Sequence, residues 1–184
     1  MGLGIGIAVF AAIILLWGIT IYNRLIRLRN LKDEGWSGID VQLKRRHDLV
    51  GNLVNAVKGY LKHEKEVLEE LARTRTQAQM ASGVAESAKM EGGLTLALGR
   101  LFAVMENYPE LRSTENVMQL QSELSALEDE LQMARRYYNG TVREFNTQIE
   151  VFPASLVAKQ FTFTQAEFFE IENAAEREVP VVSL

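Results

Sequence analysis

The chain has 184 residues, a formal net charge of −4 and no cysteine. This length suffices for a domain with a hydrophobic core, the mild negative charge argues against a nucleic-acid partner, and the lack of cysteine excludes disulfides, thiolate metal sites and a cysteine nucleophile. Because the composition is rich in Leu, Ala, Glu, Gln and Arg, which favour helices, we predict an all-α protein.

The first predicted element is the segment MGLGIGIAVFAAIILLWGITIY, which carries no charged side chain from Met1 to Tyr22. Its length matches the roughly 20 helical residues that cross a bilayer, and Trp17 and Tyr22 lie where interfacial aromatic residues are found. We therefore predict a transmembrane anchor over residues 1–23. A cleaved signal peptide and a buried helix of a soluble protein are the weaker alternatives, since the segment has neither a basic start nor a polar residue pattern that favours them.

A basic juxtamembrane linker is predicted next, over residues 24–35, with Arg24, Arg27, Arg29 and Lys32. No Lys or Arg precedes the apolar segment, so the positive-inside rule places the N-terminus outside and the rest of the chain in the cytoplasm. These cations could also contact the acidic headgroups of the lipid bilayer. The alternative is that they only determine the topology.

A helical bundle is predicted over residues 36–160, because apolar residues recur there every three or four positions. The predicted helices cover about 36–81, 84–107, 113–152 and 153–160, with a turn near Ser82–Gly83 and Ser113 as an N-cap. Short loops imply an up-down antiparallel bundle of long helices plus a short C-terminal helix, with the first and third long helices parallel. A coiled coil between chains is the alternative. Residues 161–184 are predicted to form an acidic segment and tail.

The stretch LKRRHDLVGN, Leu43 to Asn52, interrupts the apolar stripe of the first bundle helix with charged residues. One interpretation is a solvated band, and the other is a polar layer inside the bundle that penalises wrong helix registers. Aligning Trp36 with Val117 predicts that Arg46 pairs with Glu128. Gly51 either permits close helix approach or is merely tolerated. The predicted polar layer comprises Arg46, Asp48, Glu128, Arg135 and Tyr138, with Asp48 and Arg135 as a second candidate pair.

Motifs for catalysis or metal binding are not apparent in this sequence. The two histidines, His47 and His63, lack the Glu-x-x-His spacing of di-metal bundles, and HEKEV has Val67 where a zinc-protease helix needs its second histidine. We expect exposed or capping histidines, no catalytic residue, no metal, no cofactor and no small-molecule substrate.

Four segments together resemble the LemA family of bacterial membrane proteins: YNRLIRLRN, WSGIDVQLKRRHDLVGNLVNAVKGYLKHE, ALGRLFAVMENYPELRSTENVMQLQSELSALEDELQMARRYYN and FNTQIEVFPASLVA. The resemblance covers nearly the whole chain in order. It implies an all-helical cytoplasmic domain on a single-pass anchor in the cell (inner) membrane, and it implies no catalytic activity. One branch of that family is associated with magnetosome membrane formation, which hints at scaffolding or membrane shaping.

The leading functional hypothesis is a non-enzymatic, membrane-anchored helical scaffold or partner-binding protein that self-associates as a homo-oligomer or binds another membrane protein. The alternative is an accessory or sensory subunit of a membrane enzyme such as a membrane protease, and an enzyme in its own right is third. Exposed apolar residues in one patch would favour a binding role, whereas a concave pocket with convergent ionisable groups would favour an enzyme.

Overall fold

The computed structural model describes residues 2–170, and within that range it contains six helices and no strand. The predicted all-α helical fold is therefore confirmed, while the part of the predicted tail from residue 171 onward lies outside the described residues. The helices are α1 (Gly2–Val57), α2 (Lys65–Met80), α3 (Val84–Met105), α4 (Pro109–Arg112), α5 (Glu115–Glu150) and α6 (Ala154–Gln160).

Helix α1 begins with the apolar segment and continues without a break through the residues that were assigned to a linker. It is the one helix in the described range that is long and apolar enough to cross a membrane, and no part of its most apolar window is buried inside the protein. A helix that is apolar on all sides and uncovered by protein is typical of a segment surrounded by lipid.

The predicted helix over 36–81 is wrong, because the chain leaves helical geometry after Val57 and re-enters it at Lys65. Gly59 lowers helix propensity in this turn, and Leu61 is fully buried. The apolar pattern hides the break, since Val57, Leu61 and Leu68 keep helical spacing across it. Ser113 closes α4, whereas α5 begins two residues later than predicted, at Glu115.

The additional turn reverses the chain once more between α1 and α5, so the predicted parallel arrangement of these helices is wrong. Trp36 stacks on Tyr138 with ring centroids 5.7 Å apart, while Tyr22, earlier in α1, contacts Phe161, later in the chain. Partner numbers thus fall as α1 numbers rise, which is an antiparallel arrangement.

The described residues divide into two compact units, one built from residues 2–38 and 136–167, the other from 39–135 and 168–170. The second unit holds the larger core, in which the stripes of α1, α2, α3 and α5 converge. Its fully buried side chains contribute most of the hydrophobic stabilisation of this unit. They include Val50, Leu53, Val57, Leu61, Leu71, Leu94, Leu101, Leu111 and Val117.

The first unit packs the C-terminal half of α5, helix α6 and the following extended segment against α1. Its apolar cluster comprises Leu25, Leu28, Phe145, Ile149 and Ala158. Asn146 holds the extended segment by two bonds, donating to the Ala166 carbonyl at 2.9 Å and accepting from the Ala166 amide at 2.8 Å. The Asn146 side-chain amide thus forms hydrogen bonds with both the N–H and the C=O of Ala166. In a β-sheet, a neighbouring strand would form these bonds.

Tyr138 is the largest fully buried side chain of the first unit. Its hydroxyl donates to the Glu167 carbonyl oxygen at 2.9 Å. Burial raises the pKa of this hydroxyl to about 12, and the negative charges of Glu167 and Asp33 act in the same direction. The hydroxyl is therefore neutral, and able to donate, at any physiological pH.

Substitution by alanine should change the stability of the protein in opposite directions at two glycines of α1. A methyl group at Gly35 would lie 3.3 Å from the Tyr138 Cα, whereas one at Gly38 would meet nothing within 4 Å. We expect Gly35→Ala to destabilise by about 1 kcal/mol, since overpacking against backbone outweighs the helix-propensity gain, and Gly38→Ala to stabilise by up to about 1 kcal/mol. Thermal unfolding of the full chain in detergent, followed by circular dichroism, measures both, and stabilisation by Gly35→Ala would contradict the close packing.

Candidate functional site

An ion network lies in the second unit, where the charged stretch of α1 faces α3 and α5. Arg46, His47 and Glu91 form its buried part, and Thr95 and Glu128 lie at its outer edge. The Arg46 Nη1 donates to the Glu91 Oε2 at 2.8 Å, and the His47 Nε2 lies 2.5 Å from the Glu91 Oε1. Arg46 and His47 are each 5% exposed, and Glu91 is 1% exposed. Each carboxylate oxygen of Glu91 thus has its own nitrogen partner, which is the condition for burying such a group.

The second guanidinium nitrogen of Arg46 connects the network to α5. The Arg46 Nη2 donates to the Thr95 Oγ1 at 2.9 Å and lies 3.1 Å from the Glu128 Oε2. Nearby, Arg45 and Glu130 form an exposed ion pair at 3.4 Å. The structure therefore brings together Arg46 and Glu128 as predicted, but in the antiparallel arrangement of α1 and α5 and not the parallel one. That this pair selects the correct helix register, by penalising wrong ones, remains a prediction.

Gly51 allows a side chain of α2 to reach the backbone of α1. The Arg75 Nε donates to the His47 carbonyl oxygen at 2.6 Å. A Cβ at Gly51 would lie 3.1 Å from the Arg75 Cζ, so a larger residue would push the guanidinium away. The three atoms nearest to that Cβ all belong to the Arg75 side chain, so a guanidinium group, and not the backbone of a neighbouring helix, approaches Gly51.

The predicted pair of Asp48 and Arg135 is not formed. Asp48 is exposed, and it lies two positions after Arg46, which is about 200° around a helix, so both side chains cannot face α5. The Arg135 guanidinium instead lies over the Phe169 ring, 5.7 Å from its centroid. Tyr138 has its hydrogen-bond partner in Glu167 of its own unit.

His47, Glu91 and Thr95 are the members of the network that the sequence analysis missed. His47 was expected to be exposed or capping, and that expectation is wrong. Glu91 carries a signal that could have found it, because it continues the buried stripe of α3 toward the N-terminus. That stripe is Ser87, Glu91, Leu94, Leu98, Leu101 and Met105.

The residues predicted at the membrane interface lie along α1 in the first unit. Trp17 is half-exposed, and Arg24 and Arg27 are exposed. The other three have protein contacts: Tyr22 stacks on Phe161, Arg29 lies over the ring of Phe163, and Lys32 forms an ion pair with Asp33 at 2.7 Å.

A groove of about 570 Å³ opens between α3 and α5 beside the ion network. Its walls are mainly apolar, and Arg46 and Glu128 lie at its charged end. The remaining lining residues are Thr95, Leu98, Gly99, Phe102, Gln121, Leu124 and Ser125. A groove of this size and chemistry can hold apolar side chains of a partner helix.

The ionisable groups beside this groove are already used in mutual contacts. Glu91 is enclosed between Arg46 and His47, and Arg46 is shared between two carboxylates. Residues 2–170 contain no group of three His, Cys, Asp or Glu side chains placed to hold a metal ion. The arrangement is suited to joining α1, α3 and α5, because the Arg46 guanidinium of α1 pairs with a carboxylate from each of the other two helices.

Comparison with known proteins identifies similar chains. The model of the LemA family matches residues 35–184. Magnetosome protein MamQ 2 of Paramagnetospirillum magneticum is 24% identical, over 88% of this chain and 68% of that protein. Magnetosome protein MamQ of Magnetospirillum gryphiswaldense is 22% identical with the same coverage, and Protein LemA of Metamycoplasma hominis is 24% identical over 88% of this chain and 74% of that protein.

Proposed function

Since the chain belongs to the LemA family, we propose that it is a non-enzymatic, single-pass membrane scaffold whose helical bundle associates with a second copy of itself. The observation that carries this proposal is the apolar groove between α3 and α5. Leu96 and Met118, which are 64% and 50% exposed, precede groove residues Gly99 and Gln121 by three positions, so they lie on the same helix faces. Together they extend the apolar surface beyond the groove.

The anchor supports self-association because it confines copies of the protein to one plane. Confinement raises the effective concentration of a second bundle without any new contact. A two-fold contact would place the groove and its apolar margins on both copies, which is the commonest geometry of homo-oligomers. The groove therefore needs to supply only modest affinity.

The proposed location is the inner membrane of a bacterial cell, with the N-terminus outside and the bundle in the cytoplasm. Support comes from the uncovered apolar start of α1 and from the exposed Arg24 and Arg27 that follow it. Basic residues after a span favour retention of that side in the cytoplasm.

Gly99→Trp should abolish self-association, because the indole would fill the groove. A Cβ at Gly99 meets no atom within 4 Å, so the side chain can leave the backbone there without a clash, and unchanged helicity by circular dichroism would show that the bundle remains folded. Gly93→Trp is the matched control: Gly93 lies on the same helix, has the same free space and does not line the groove. The mass of the full-length protein in detergent, measured by light scattering, should give a defined oligomer for the natural chain and for Gly93→Trp, and a monomer for Gly99→Trp.

A natural chain that is monomeric in detergent and in nanodiscs would overturn the self-association proposal. The accessory-subunit hypothesis would then be pursued by isolating partners from native membranes. If Gly99→Trp forms the same oligomer as the natural chain, the interface between copies lies outside the groove.

A further inference from the structure

We propose that the corner joining α5 to α6, residues 151–161, is a second membrane contact, which lies in the interfacial layer beside the anchor and binds acidic lipid. This inference rests on the proposed single-pass anchor. It concerns the first unit alone, and it assigns a partner to a surface that the self-association proposal does not use.

The corner lies at the level where the apolar segment of α1 ends. Within the first unit, α5 runs antiparallel to α1, from the contact between Trp36 and Tyr138 toward earlier residues of α1. At the far end, the ring of Tyr22 lies 4.7 Å from that of Phe161. Tyr22 is the last residue of the apolar segment, so Phe161 marks the depth of the bilayer surface on the protein.

Large apolar side chains of the corner are exposed. The exposed fractions are 81% for Phe152, 61% for Leu156, 55% for Phe161 and 43% for Val151. Single exposed apolar residues are ordinary on protein surfaces, but several on one short corner mark an interaction surface. Here the adjoining surface is the apolar part of α1, which is itself uncovered by protein.

Helix α6 has the two faces that an interfacial helix requires. Ala154 and Ala158, four residues apart, are buried, and Ala158 belongs to the apolar cluster with α1 and α5, whereas Leu156 and Lys159 are exposed. The small inner residues bring the helix close to the unit, and the outer face combines an apolar residue with a cation. This combination is typical of helices that lie in the headgroup region.

The charges around the corner favour an acidic lipid surface. Arg24, Arg27 and Lys159 are exposed near the end of the apolar segment. The Glu150 carboxylate, at the end of α5, accepts a hydrogen bond from the side-chain amide of Gln165. Cations at this depth attract anionic headgroups while the aromatic and aliphatic side chains enter the acyl boundary.

Fluorescence quenching by lipid can test this contact, because the chain has no cysteine and single cysteines can be labelled selectively. The full chain would be reconstituted in vesicles of equal parts phosphatidylcholine and phosphatidylglycerol, with a fraction of lipid carrying a nitroxide near the headgroup. Environment-sensitive dyes would be attached at Phe152→Cys and Leu156→Cys. Leu15→Cys serves as the control in the anchor, and Tyr137→Cys as the half-exposed control on α5, about 20 Å from the corner.

We expect dyes at positions 152 and 156 to lose fluorescence to an extent comparable with that at position 15, while the dye at 137 is unaffected. Replacing phosphatidylglycerol by phosphatidylcholine should reduce quenching at the corner only. If the dye at position 15 is quenched but the dyes at 152 and 156 are not, the proposal of a second membrane contact is wrong, while the anchor is supported. If the dye at position 15 is not quenched, the first segment is not a transmembrane anchor, and the proposed function is wrong as well. Unchanged helicity of each variant shows that the corner remains folded.

Discussion

Replacing Glu91 by alanine should lower the free energy of unfolding by about 3–5 kcal/mol, because it leaves two buried nitrogen-bearing side chains without their shared acceptor. Arg46 would keep only Glu128 and Thr95, and His47 would lose its partner at 2.5 Å. Urea unfolding of the full chain in detergent micelles, followed by far-ultraviolet circular dichroism, measures the difference.

Glu70→Ala is the matched control for this result. Glu70 accepts two hydrogen bonds from Arg100, each 2.7 Å long, but this pair lies at the surface. An exposed pair contributes about 0–1 kcal/mol, so its loss should be small even though its geometry is as good. Equal losses for Glu91→Ala and Glu70→Ala would contradict the view that burial makes the ion network costly to break.

A triple variant separates stability from specificity in the ion network. Replacing Arg46, His47 and Glu91 together by apolar residues of similar volume should recover most of the stability lost in Glu91→Ala, since no buried charge is then left unpaired. If the network instead determines helix register, the triple variant should be stable but should bind the dye anilinonaphthalene sulfonate, a sign of loosened packing.

The apolar stripes were readable from the sequence because helical spacing depends on local residues. The turn after Val57 was not, since Leu61 and Leu68 continue the same spacing through it while the backbone reverses. That single missed reversal changed the expected direction of α5. The Arg46–Glu128 pair was nevertheless anticipated, because both directions place Glu128 within one residue of the same level.

Glu91 shows why the ion network was only half predicted. Its partners lie on a helix that precedes it by more than forty residues, and nothing in the local sequence of α3 identifies them. The available signal was indirect: a carboxylate on an apolar stripe requires a buried cation on another stripe, and Arg46 was the candidate. Register between helices depends on side-chain packing along their whole length, which spacing alone does not specify.

Tyr138→Ala should destabilise the first unit by about 3–5 kcal/mol, which is typical for removal of a buried aromatic ring. The ring packs against that of Trp36, with centroids 5.7 Å apart, and it carries the hydroxyl that donates to the Glu167 carbonyl oxygen. Loss of the ring would therefore weaken both the contact of α5 with α1 and the attachment of the extended segment. Unfolding of the full chain in detergent, monitored by the fluorescence of Trp36 in a Trp17→Phe background, reports on this unit.

Two further variants divide this expected loss between ring and hydroxyl. Tyr138→Phe keeps the ring and should cost about 1 kcal/mol, because the hydrogen bond to the Glu167 carbonyl oxygen is lost. Tyr137→Ala removes a neighbouring ring that is half-exposed, and it should cost less than about 1 kcal/mol. A loss in Tyr138→Phe as large as that in Tyr138→Ala would mean that the extended segment, held through Glu167, stabilises this unit more than the packing of the ring does.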